Sequence, residues 1–170
     1  MTDEMERHGT DGQAGRPRMP REYAIAAGGE GLLPWSWAVE RLAAARTYWL
    51  ATSRSDGRPH VMPVWGLWLE GALSFSIARR SRKARNLAAR PQAVAHLESG
   101  DEAVILEGAV HEVTDAALLA RFADAYAAKY RFRPDPHDVA NGTYVLRPRV
   151  VFAWREQDFP TSATRWRVVG

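Results

Sequence analysis

Between Ser76 and Pro91 the chain reads SIARRSRKARNLAARP, with six basic residues and no acidic one. The basic residues are Arg79, Arg80, Arg82, Lys83, Arg85 and Arg90. Ser81 stands where a helix N-cap is wanted, RKARNLAAR is a good helix former, and Pro91 lies just past its end. A helix starting there offers a hydroxyl, unpaired backbone N–H groups and a positive dipole end, flanked by Arg82 and Lys83. That combination suits an anion, and phosphate above all. The plain alternative is a cationic helix that only faces water. A nucleic-acid surface would show a broad basic area with stacking aromatics, whereas here acids nearly balance bases outside one short block.

A second stretch, DGRPHVMPVWGLW, reads as a hairpin turn at Asp56 and Gly57 followed by a returning strand. Val61, Pro63 and Trp65 fall on one face, and Met62, Val64 and Gly66 on the other. Pro63 has no N–H for a ladder, so the strand must bulge or lie at an edge there. Irregular backbone flanked by Trp65 and Trp68 can recognise a heterocycle that alternates donors and acceptors. Trp68 reads better as a core residue.

Other chemistries find no support. The chain has no cysteine, which excludes disulfides, thiolate nucleophiles and cysteine-ligated metals and suits a reducing cytoplasm. The histidines show no metal-site spacing with acids, and no Ser–His–acid order is present. The start of the chain has acids and no apolar region of a secretory signal, and no apolar run approaches the roughly 20 residues of a membrane span. The net charge is +3 with 21 arginines and only Lys83 and Lys129 as lysines, so the informative feature is the local cluster, not the total.

The elements that must position these residues follow from pattern. With 170 residues the chain suits one domain. Residues 1–33 read as a flexible polar tail rich in Gly, Pro and charge, and residues 34–170 as the folded domain. Ser36 is the expected cap of a short helix ending near Ala45. Six strands follow: TYWLATSR, PHVMPVWGLWLE, ALSFSIA, QAVAHLES, AVILEGAVHEVT and TYVLRPRVVFAWRE, with Pro148 at an edge or bulge. The basic helix falls between the third and fourth. A longer helix falls between the fifth and sixth, where Leu118, Phe122, Tyr126 and Tyr130 make one apolar stripe. Antiparallel hairpins with few helices predict a mainly β, six-stranded closed barrel with two to three flanking helices.

In this order and spacing, RPHVMPVW, SRKARNL and the closing ATRWRV resemble the flavin- and deazaflavin-binding split β-barrel family. It includes pyridoxamine 5′-phosphate oxidases and oxidoreductases dependent on coenzyme F420. The resemblance runs from about Thr47 to Trp166. It implies a homodimer with the cofactor in a groove between two barrels. The phosphate end would meet Arg80, Ser81, Arg82, Lys83 and Asn86, with His60 reaching the phosphate or ribityl chain. The ring would lie along the backbone of Met62, Pro63, Val64 and Trp65. The other subunit would add Trp154, Arg165 and Trp166, the last covering the ring. Surplus arginine at 79, 80, 82 and 85 suits the more anionic deazaflavin over FMN. The implied function is hydride transfer from reduced F420 to an electron-poor small molecule. The alternatives are an FMN-binding oxidase-like protein, or a barrel that binds cofactor or haem without turnover. The loops near 131–141 are expected to shape the acceptor pocket.

Overall fold

The structure, a computed structural model, describes residues 13–135 and 137–168. Its strands are β1 (Gln13–Gly15), β2 (Thr47–Ser53), β3 (Pro59–Leu69), β4 (Ala72–Ala78), β5 (Gln92–His96), β6 (Glu102–Glu112), β7 (Asn141–Arg155) and β8 (Thr164–Arg167). The helices are α1 (Trp35–Ala44), α2 (Arg82–Ala89), α3 (Ala116–Tyr130) and the short α4 (Phe159–Ser162).

Six strands close a ring in the order β7–β4–β3–β2–β5–β6, with β6 pairing back to β7, and all pairings are antiparallel. The six expected strands are these six. β8 and β1 extend the sheet beyond β7. The barrel interior is filled by alternate residues, as the strict alternation of β2 illustrates: Tyr48, Leu50 and Thr52 are buried, and their neighbours are not. Leu73, Phe75, Leu106, Leu146 and Val151 complete its centre.

Local chemistry explains the corners. Glu70 and Gly71 both have positive φ, 51° and 74°, which is the two-residue hairpin that turns β3 into β4. The register of β6 on β7 shifts between Glu107 and Gly108, opposite Pro148. A Cβ on Gly108 would lie 2.0 Å from the Arg147 carbonyl oxygen, so the bulge requires glycine there. Pro148 thus occupies the bulge its type suggests.

Two details depart from expectation. The cap of α1 is Pro34, with no side-chain bond, and not Ser36; a proline has no N–H to satisfy, so it suits a helix start. Residues 13–33, which composition assigns to the tail, include β1 on β8 and a buried Leu33. Arg16 donates to the carbonyls of Gly28, Glu30, Thr161 and Ala163 and so fastens this segment to the α4 corner. Residues 1–12 of that tail lie outside the described residues.

Candidate cofactor-binding site

β3 is paired along its whole outer half on one edge only. It pairs with β2 over Pro59–Trp65, but with β4 only over Gly66–Leu69. Past Phe75, β4 turns away to follow β7 and leads into α2. One edge of Pro59–Trp65 is therefore open, and Pro63 sits on it. The register with β2 runs through Pro63 without a shift, so the proline marks an edge and not a bulge. Val64 and Gly66 point into the barrel, while Val61, Pro63 and Trp65 are exposed outside, as the alternation requires. Met62 is also exposed at the open end.

The start of α2 faces this strand. Ser81 caps the helix, its Oγ accepting from the Ala84 N–H at 3.2 Å. The first turn contains no acid. Buried Asn86 donates from Nδ2 to Thr52 Oγ1 at 2.9 Å, and that oxygen lies 3.4 Å from the His60 carbonyl oxygen. This chain of contacts fastens α2 to β2 and to β3. Asn86 therefore braces the site, with one of its two amide N–H groups on Thr52.

The electrostatics of the site are cationic. Burial, then Arg54, Lys83 and Arg82, hold the His60 imidazole below its usual pKa. His60 Nδ1 and Arg54 Nε are both buried without a hydrogen-bond partner. Of the basic block, Arg79 is already committed: it pairs with Glu112 at 2.7 Å and donates to the Asp138 carbonyl. A place for it among the cofactor arginines would have to compete with these contacts. Arg90 donates to the Ser55 carbonyl. Arg80, Arg82, Lys83 and Arg85 make no ion pair or side-chain hydrogen bond among the described residues, which leaves them for a ligand. Arg54 is absent from the motif-based set. Nothing in its local sequence signals a role, because it reaches the site only through the hairpin that returns β3 beside β2.

The structure thus brings together His60, the Met62–Trp65 edge and residues Arg80 to Lys83. It does not bring Trp154, Arg165 and Trp166 to them within one chain. β4, which leads to α2, follows Asn141–Leu146, whereas β8 follows Val150–Ala153 at the other end of β7. Trp154 is half-buried, edge-on to Phe159 with ring centroids 5.6 Å apart. Arg165 keeps a buried, unpartnered Nε. Trp166 is 2% exposed, a core residue packed edge-on against Trp35 at 5.3 Å. Its expected role as a cover for the cofactor ring of a partner subunit would require this packing to open. The aromatic stripe of α3 is likewise packing, with Phe122, Tyr126 and Tyr130 buried on Leu67. No cluster of three or more His, Asp or Glu able to hold a metal occurs among the described residues.

A six-stranded barrel opened along one strand edge, with a cationic helix start beside the opening, defines a split β-barrel. A family model described as pyridoxamine 5′-phosphate oxidase matches residues 38–155, and the chain belongs to that family. Among curated proteins none matches. Solved structures share the fold at low identity. An F420 reductase is 24% identical with a TM-score of 0.55, over 70% of this chain and 98% of its own. Pyridoxamine 5′-phosphate oxidase-like protein from Listeria innocua is 13% identical with a TM-score of 0.58, over 68% and 93%. The haem storage protein HutZ from Vibrio cholerae is 18% identical with a TM-score of 0.54, over 69% and 89%. No helix among the described residues is long and apolar enough to cross a membrane.

Proposed function

We propose that this chain is an oxidoreductase that binds coenzyme F420 and delivers a hydride to an electron-poor small molecule. The observation that carries the reading is the pair of buried, unpartnered nitrogens on His60 and Arg54, beside Arg82, Lys83 and the capped start of α2. Buried polar atoms without partners are rare in a finished fold, and phosphate oxygens are acceptors of the kind that N–H groups at these two positions call for. The residues present therefore fit a phosphorylated cofactor. Arg80, Ser81, Arg82, Lys83 and His60 hold its phosphate, and Arg54 joins them. The open edge of Met62–Trp65 presents backbone groups to the ring.

Once bound, the deazaflavin supplies an obligate two-electron hydride, whereas FMN also permits one-electron chemistry. The protein contributes placement and exclusion of water. Tyr130 is unsuited to proton donation, because its hydroxyl is engaged with the Gly66 N–H and carbonyl and the Arg46 carbonyl. The free arginines at 80, 82 and 85 favour F420 over FMN, since its tail carries more negative charge than one phosphate.

The reading includes a homodimer. Val61 and Met62 are large apolar residues exposed by 49% and 45% along the open strand. Across the ladder Pro63 faces Trp49, which faces His96, Ile105 and Phe152 in turn, giving a mostly apolar outer row. A second copy laid on this row covers it and brings its own Trp154 and Arg165 toward the groove.

Equilibrium titration of the purified chain with F420, FMN and haem tests the reading. Micromolar or tighter binding of F420, in preference to FMN, is expected. FMN preference points to the oxidase-like alternative, a Soret band to a haem carrier, and absence of binding by all three defeats the proposal.

A further inference from the structure

The C-terminal turn of α3 holds a charge that cofactor binding leaves unused. Lys129 Nζ donates to the Gly66 carbonyl at 3.0 Å and lies 3.4 Å from the Tyr48 hydroxyl. Its ammonium reaches across to β3 and not back to the carbonyls of its own helix, so the helix dipole does not account for it. Those two contacts leave a third N–H free. Burial and the nearby Arg46 hold its pKa below the usual lysine value. The six ion pairs among the described residues use Arg41, Arg58, Arg79, Arg121, Arg133 and Arg155. Among the described residues neither Lys129 nor Arg46 meets a carboxylate. Two neighbouring cations, one of them partly desolvated, are unfavourable until an anion joins them.

A flat surface lies beside them. The Trp65 ring stacks parallel on Tyr130, with centroids 4.8 Å apart and an interplanar angle of 0°. The Tyr130 hydroxyl accepts from the Gly66 N–H at 2.9 Å and has its one proton shared between the Gly66 and Arg46 carbonyls, each 2.7 Å away; these contacts fix Tyr130, and through it the indole. Arg46 Cζ lies 5.2 Å from the Trp65 ring centroid and 5.7 Å from that of Tyr130. One face of the indole is covered, and the exposure of Trp65 leaves the other open.

We propose that Trp65, Arg46 and Lys129 form the acceptor subsite, and that the acceptor is a planar, conjugated carboxylate. The inference rests on the cofactor reading above, in which the ring lies on the strand edge that ends at Trp65. The open indole face takes the π system. The Arg46 fork takes the carboxylate, as its geometry favours. Lys129 adds a field that disfavours a neutral molecule of the same shape.

The test is calorimetric titration of the cofactor-free full chain with 2-naphthoate and with its neutral isostere 2-naphthamide. Naphthoate is expected to bind about 10-fold more tightly or better, as a charge-assisted pair predicts. Arg46→Gln and Lys129→Met should each reduce that preference at least about 3-fold, while Lys129→Arg retains most of it. F420 affinity, measured on the same proteins, should stay within about 2-fold, because α2 is untouched. Equal affinity for the two probes, or a preference that survives in both Arg46→Gln and Lys129→Met, overturns the inference. If F420 binds and the preference is missing, the subsite alone fails. If the preference holds and F420 does not bind, the cofactor reading fails and the planar-anion site stands.

Discussion

The Asn86 amide donates to Thr52 Oγ1 at 2.9 Å, and both residues are buried. This single bond sets where the cationic helix sits against the open strand, since Thr52 pairs with His60 in the ladder. Removing one partner strands the other. Asn86→Leu should lower stability by about 1–3 kcal/mol, the penalty of leaving a buried hydroxyl unsatisfied. The double variant Asn86→Leu with Thr52→Val should recover part of that loss. Denaturant unfolding of the three proteins measures it, and strict additivity would show that the bond does not couple α2 to β2.

Lys83 answers a different question. It is partly exposed at the helix start and makes no ion pair among the described residues. Lys83→Glu should cost at most about 1 kcal/mol in stability, yet weaken F420 binding by about 10-fold or more, because it reverses a charge beside the phosphate. Thermal unfolding and a binding titration on the same protein separate the two effects. Unchanged affinity would remove Lys83 from the site.

His60 gives a pH signature. Burial and three cationic neighbours depress its pKa in the free protein. An anionic phosphate beside it raises that pKa again, so binding takes up a proton. Affinity for F420 should therefore rise as pH falls from above the ordinary histidine value toward the depressed one. The stability of the free protein moves oppositely. A folded-state pKa below the unfolded one favours the native state at higher pH, and this contribution is lost as pH falls through both values. His60→Gln should flatten both curves, and a pH series of titrations checks it.

The outer apolar row predicts association. Sedimentation should give a dimer for the native chain. Val61→Glu, which places a charge on the more exposed of the two apolar residues Val61 and Met62, should shift it toward monomer. A monomeric native chain at micromolar concentration would contradict the two-barrel groove.

Much of this was legible in the residues because it is local. Ser81 caps its helix, Pro63 marks an edge, Glu70 and Gly71 turn a hairpin, and Pro148 sits at a bulge. Each is decided by a few neighbouring atoms. What escaped depends on partners far along the chain. Arg79 is taken by Glu112, 33 residues away. Arg16 fastens the segment before α1 by reaching carbonyls near residue 161. Trp166 has the same alternation signal whether its strand faces groove or core, and only the packing of Trp35 on it decides. Arg54 and Arg46 are ordinary surface-looking arginines until the hairpin and α3 place them beside His60 and Trp65.

A crystal structure of the chain with F420 is the most direct measurement. The account predicts the phosphate within hydrogen-bond distance of Ser81, Lys83 and His60, and the ring along the backbone of Met62 to Trp65. A ring bound elsewhere, with Ser81 to Lys83 facing only solvent, would contradict it.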